Sequence, residues 1–150
     1  MVEIDQTNAR ILRELRNDGR ISNLALADKV GLSPSACLRR VQDLERRGVI
    51  TGYRARLDPV QTGQAYVVYV AVGLSVHSKV AQEEFERAME RFDEVSECHN
   101  IAGAFEYLLR VETADLTAYK TFHTDRLGTV PHVRSITSHM VMGSPKDTRA

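Results

Sequence analysis

Apolar positions in the first fifty residues recur at helical spacing and are interrupted by turn residues. Ile11, Leu12 and Leu15 form one stripe, with Asp5 as N-cap and Asp18-Gly19 as stop, which predicts a first helix. Ser22 caps a second, short helix with Leu24, Ala27 and Val30 turned inward, and Gly31 ends it. Ser33 and Pro34 open a third. The serine hydroxyl accepts from an orphan amide, and proline gives up an N–H that has no partner in the first turn. Leu38, Val41 and Leu44 are read as its buried edge, with Cys37 on that side, and Gly48 ends it. Residues 50–57 alternate loosely and predict a strand.

Residues 58–64, DPVQTGQ, have linker composition, so the chain divides into a first domain over 1–60 and a second over 61–150. Past the linker the period changes. Residues 65–76, AYVVYVAVGLSV, are apolar and β-branched almost throughout, as a central strand requires. Residues 80–92 form a helix with Ala81, Phe85, Ala88, Met89 and Phe92 on one face; Glu83, Glu84, Glu86 and Glu90 occupy the solvated face. Residues 95–102 and 105–111 read as a hairpin turning at Gly103-Ala104. Residues 115–127 form a helix packing through Leu116, Tyr119, Phe122 and Leu127, and 132–142 the last strand. The order βαββαβ is the ferredoxin-like split arrangement, so the fold class is α+β. The tail SPKDTRA is expected to be mobile.

Three short helices with a glycine turn between the second and third describe a helix-turn-helix, and charge strengthens that reading. The formal net charge is zero, but residues 1–57 carry +4 and residues 58–150 carry −4. Six arginines fall within 33–57 against only Asp43 and Glu45. A basic front and an acidic back suggest that the front meets a polyanion, with chance clustering on a solvated face as the other reading; taken with the helix-turn-helix spacing, the polyanion is double-stranded DNA. The candidate DNA-binding positions are Ser33, Ser35, Ala36, Arg39, Arg40, Asp43, Arg46 and Arg47 on the third helix, with Arg54 and Arg56 on a following wing. Residues near the start of such a helix reach base edges. Arg39 or Arg40 can pair bidentately with guanine, worth ~1–3 kcal/mol of discrimination. Ser33, Ser35 and the helix N-terminal amides suit phosphate.

Other chemistry is thin. Cys37 and Cys98 are too few and isolated for a disulfide framework, and both read as small buried residues in a reducing, intracellular setting. His77, His99, His123, His132 and His139 lack metal-ligand spacing, His99 being read as a half-exposed strand residue. No catalytic set is recognised. No apolar run is long enough to span a membrane, and MVEIDQTNARIL lacks the pattern of a signal peptide, so a cytoplasmic protein is expected.

The segments IDQTNARILRELRNDGRIS, GLSPSACLRRVQDLERRGVITGYRARLDP and NIAGAFEYLLRV resemble the Lrp/AsnC family of leucine-responsive, or feast/famine, transcriptional regulators, in order and over essentially the whole chain. Sixteen arginines against four lysines suggest a GC-rich genome, as in an actinobacterial leucine-responsive regulator. The resemblance implies a winged helix-turn-helix followed by an effector-binding βαββαβ domain. It implies dimers joined through their sheets, commonly gathered into an octamer. It implies a non-covalent amino-acid effector between dimers, with no other cofactor. The effector positions it indicates are Asn100, Gly103, Ala104, Phe105, Glu106, Tyr107 and Ser138. Where the family often has G-D-F-D-Y, this chain has Gly103-Ala104-Phe105-Glu106-Tyr107, so which amino acid binds is not carried over. Ser138 matches a frequent threonine; a strand hydroxyl paired locally is the other reading. Two rival functions stay open at this point: a ferredoxin-like small-molecule enzyme with a helical appendage, and a protein-interaction scaffold.

Overall fold

The structure, a computed structural model, describes residues 4–147. The chain forms two compact units, 1–56 and 57–150.

The first unit holds α1 (Gln6–Asn17), α2 (Asn23–Val30) and α3 (Pro34–Arg46). Asp5, Ser22 and Ser33 each cap a helix by accepting from the backbone amide three residues on. Gly31 sits at φ 72°, the left-handed conformation that lets α2 turn directly into α3. Ile11, Leu26, Ala27, Val30, Cys37 and Leu44 form the core.

Two expected core positions are corrected. Leu24 is 69% and Leu38 46% exposed. At 100° per residue, Leu24 lies roughly 110° from the centre of the Leu26–Ala27–Val30 stripe, and Leu38 roughly 90° from that of Cys37–Val41–Leu44. Leu26 and Cys37 take the inward places. The expected strand over 50–57 is also corrected: among the described residues no strand pairs with this segment, which runs irregular and largely exposed. A strand needs a ladder partner for its amides, and none lies alongside. Tyr53 anchors the segment by donating from its hydroxyl to Glu45 Oε1 at 2.8 Å.

The second unit begins with a turn closed by Asp58, whose carboxylate accepts from the Val60 and Gln61 amides. Its elements are β1 (Tyr66–Leu74), α4 (Lys79–Met89), β2 (Val95–Asn100), β3 (Tyr107–Thr113), α5 (Leu116–Thr121) and β4 (Val133–Met140). The sheet is antiparallel with order β2-β3-β1-β4. Val68, Val70, Val72 and Leu74 alternate into a core shared with Phe85, Met89, Leu109, Val111 and Phe122. Val67, Tyr69 and Ala71 point to the opposite face.

α5 is shorter than expected. A π-turn over Phe122–Arg126 and a 3-10 turn over Leu127–Thr129 replace its second half. The wider turn makes five residues little more than one revolution, which brings Phe122 and Leu127 to the same buried side. Leu116, expected to pack, is 56% exposed in the helix's first turn. The expected two-residue hairpin is a six-residue connection, 101–106, closed by the Ile101 amide donating to the Glu106 carbonyl at 2.9 Å. Of the tail, Asp147 lies 3.7 Å from Arg110, and residues 148–150 are outside the described residues.

Candidate nucleic-acid interface and effector loop

The phase of α3 is set by Cys37 and Leu44, both fully buried. Their burial turns Ser35, Leu38, Arg39, Gln42 and Arg46 to solvent on the opposite side. Asn23 fixes the helix start by donating from Nδ2 to the Pro34 carbonyl at 2.8 Å.

The two candidate guanine readers separate cleanly. Arg40 Nη1 donates to Asp5 Oδ2 at 2.7 Å and to Asn8 Oδ1 at 3.0 Å. It therefore clamps α3 to the capped start of α1, and its guanidinium holds the Asp5 carboxyl below the usual range, helped by the Asn8 amide. Arg39 is exposed on the solvent face. Asp43 is likewise occupied within α3. Arg47 donates to it at 3.1 Å and Arg46 pairs with its other oxygen, and Arg47 first, then Arg46, lower its pKa. Ala36 is half-buried. The Ser33 hydroxyl accepts from the Ala36 amide and lies 3.3 Å from that of Ser35. Arg54 and Arg56 are exposed on the irregular segment.

Gln42 belongs to the exposed row and was missed in the sequence. Counting the helix phase from Cys37 rather than Leu38 would have found it.

In the second unit, Gly103 and Ala104 are exposed at the tip of the connection. A side chain at Gly103 would meet nothing within 4 Å, and its backbone is not left-handed. Glu106 is more committed. The ladder between β1 and β3 ends at the Val72–Tyr107 pair, and the Leu74 amide just beyond it donates to Glu106 Oε2 at 2.7 Å. Glu106 Oε1 lies 3.0 Å from His77 Nδ1. A Cβ at Gly73 would lie 2.4 Å from Ser135 Oγ, so a larger residue there would have to turn that hydroxyl aside.

Tyr107 lies fully buried on the helix face, its hydroxyl donating to Glu86 Oε1 at 2.7 Å; burial, then Glu86, push it up to about 12. Phe105 is half-buried and Asn100 exposed. Ser138 faces α5, its Oγ 2.5 Å from the Tyr119 hydroxyl. Asn100 and Tyr107 also line a cleft of about 370 Å³ between α4 and β2, with Glu86, Met89, Glu90 and Cys98. The expectation that both cysteines are buried holds for Cys37 alone. Cys98 is exposed at the sheet edge, where the cleft wall, then Glu86, push its thiol up to about 11. Cys37 is raised by burial. Neither thiol is activated.

A tri-helical unit that turns an arginine row outward, followed by a ferredoxin-like sheet, defines a DNA-binding transcriptional regulator with an appended regulatory domain. Residues 4–51 match a winged helix-turn-helix DNA-binding domain and residues 67–150 match the Lrp/AsnC ligand binding domain. The chain is 38% identical over 146 residues to the leucine-responsive regulatory protein of Escherichia coli, covering 97% of this chain and 89% of that one. A transcriptional regulator from Neisseria meningitidis, solved as its L-Met complex, superposes with a TM-score of 0.92 at 32% identity, over 97% of this chain and 94% of that one. An AsnC family transcriptional regulator from Agrobacterium tumefaciens gives 0.91 at 34%, over 97% and 95%. The chain belongs to the Lrp/AsnC family. Its relatives are regulators, which sets the enzyme and scaffold readings aside. Among the described residues no helix is long and apolar enough to cross a membrane.

Proposed function

We propose that α3 reads operator DNA through Arg39 and Gln42, while an amino acid held at the 101–106 connection of the second unit sets how the paired reading heads are spaced. The observation that carries the DNA half is the division of labour on α3: Arg40 is spent on Asp5 and Asn8, and Arg39 stands free of such a clamp beside Gln42. Arginine suits guanine O6 and N7, and glutamine suits adenine N6 and N7. Ser33, Ser35, Arg54 and Arg56 supply backbone contacts, joined by Arg46 and Arg47 where a phosphate takes the place of Asp43, with the exposed 50–57 segment as the wing.

The second unit supports assembly. β1 is apolar on both faces, and the helices cover one of them. Such a strand calls for cover on its other face, and a second copy of the sheet supplies it. Dimers formed this way would gather further, as an octamer, in the cytoplasm. The L-Met of the Neisseria complex argues for an α-amino acid as effector here. Amides at the loop tip suit its carboxylate, and Glu106 Oε1 suits its ammonium once His77 swings aside. A ligand shifts the assembly only by binding its states unequally. Paired heads then predict half-sites about one helical turn, ~10 bp, or multiples apart.

A thermal-shift screen of the twenty amino acids tests this, because a ligand of the native state raises its stability. One or a few are expected to raise the melting temperature. Gly103→Asp is expected to abolish the shift by setting a carboxylate against the ligand's own, at a position with room for it. No shift with any amino acid, or an undiminished one in the variant, refutes the effector half.

A further inference from the structure

We infer that Leu38 reads the 5-methyl group of a thymine in the operator half-site. The inference rests on α3 being the DNA-reading helix. Leu38 is 46% exposed, while Cys37 beside it and Leu44 further along are fully buried, so it is not a core residue. It is the fifth residue of α3, within the half of such a helix that meets base edges.

Its neighbours on the helix surface decide what it can meet. One turn back is Ser35 and one turn on is Gln42, and Arg39 follows it in the chain. Asp43, the acid nearest in sequence, is held by Arg46 and Arg47, and Glu45 accepts from Tyr53. The local surface is therefore an apolar spot set among hydrogen-bond donors. In the major groove the thymine methyl is the apolar group, and the other edges present donors and acceptors. A leucine pressed onto those edges would strip water from them without replacing their hydrogen bonds, which is costly. Pressed onto a methyl, it buries apolar surface. Gln42, four residues on and in the same row, is placed to take an adenine in the same stretch of groove, so the pair together favours A·T steps beneath this part of α3.

The test uses the full chain and duplex DNA. A duplex enriched from a random pool is remade with each thymine replaced singly by deoxyuracil, which removes the methyl and nothing else. Affinities are measured by fluorescence anisotropy for wild type, Leu38→Ala and Leu24→Ala; Leu24 is an exposed leucine on α2 and serves as control. We expect a thymine in each half-site whose replacement weakens wild-type binding about fourfold, the worth of one buried methyl. Leu38→Ala is expected to bind the thymine and deoxyuracil duplexes equally there, and Leu24→Ala to keep the preference. The inference is overturned if wild type distinguishes thymine from deoxyuracil nowhere, or if the preference survives in Leu38→Ala. A changed oligomeric state of Leu38→Ala in sedimentation, with the thymine preference intact, would overturn it in favour of a protein contact. If no duplex is enriched from the pool, the DNA-reading role itself fails, an outcome distinct from the others.

Discussion

The two units differ in net charge and in core: residues 1–57 carry +4 and residues 58–150 carry −4. In the sheet unit, Arg126 grips Glu94 at 2.5 Å and lies over the Phe92 ring, Arg110 pairs with Glu112, and His77, His99 and His132 each lie beside a glutamate. The helical unit likewise pairs Lys29, Arg40, Arg46 and Arg47, but it carries the excess of positive charge and turns Arg39 out to solvent. Cores differ too. Among the described residues thirteen form the buried cluster of the sheet unit and six that of the helical one, so the smaller unit has less apolar burial to draw on. A surface kept for a polyanion must leave cations unpaired, and the Arg40 clamp is where the helical unit gives one up to hold its shape.

The largest test of this contrast is in the sheet core. Phe85→Ala removes a fully buried ring whose centroid lies 4.5 Å from that of Tyr107, and should cost about 3–5 kcal/mol in urea unfolding. A loss no larger than that of a surface change would break the claim that this core carries the unit. Next is the split between adjacent arginines. Arg39→Ala should weaken binding of a selected duplex roughly ten- to hundredfold, the worth of about 1–3 kcal/mol of base contact, and leave the melting temperature unchanged. Arg40→Ala should do the reverse, lowering the melting temperature more than it weakens binding. Equal loss of affinity in the two, with stability untouched, would mean that the Asp5 clamp does not hold in solution.

The clamp also leaves a mark on acid stability. Asp5 has its pKa lowered, chiefly by Arg40. In the window between that depressed value and the usual carboxylate value, about 3.9, the unfolded chain binds more protons than the folded one, so stability rises with pH there. The contribution is complete above the window and is lost as pH falls through the folded value. Arg40→Met should therefore show a flatter loss of stability below pH about 4 than wild type, measured by denaturant unfolding across that range. Asp43, held by Arg47 and Arg46, titrates alike in both proteins and cancels from the comparison.

The helix starts, the glycine turn and the βαββαβ order were legible because each rests on a local signal: a capping side chain, a left-handed glycine, a change of apolar period. Three things were not. Leu24 and Leu38 were placed inward because they are leucines, whereas the phase was fixed by Leu26 and Cys37, and a wrong phase hid Gln42. The Arg40–Asp5 pair joins residues 35 apart, and nothing in either neighbourhood announces it. The role of Glu106 under the Leu74 amide depends on where the ladder between β1 and β3 ends, which neither strand announces by itself. Residues 50–57 show the converse: alternation suggested a strand, but a strand exists only where another chain segment lies beside it.

The smallest expected effect concerns Ser138, for which the sequence left two readings. In this sheet its hydroxyl meets that of Tyr119, against the helices. A single such hydrogen bond contributes about 0.5–1.5 kcal/mol net, so Ser138→Ala should cost roughly 1 kcal/mol of stability. It should also move a neighbour. Burial raises the Tyr119 pKa and the Ser138 hydroxyl opposes that rise, so removing the hydroxyl should raise it further. Ultraviolet titration of tyrosinate, with Tyr119→Phe to assign the transition, reads this directly. Ser138→Ala with unchanged stability and an unmoved tyrosine, but a weakened amino-acid response, would place Ser138 with the effector loop. The sheet unit would then keep a polar group free for its ligand, as the helical unit keeps Arg39 free for DNA.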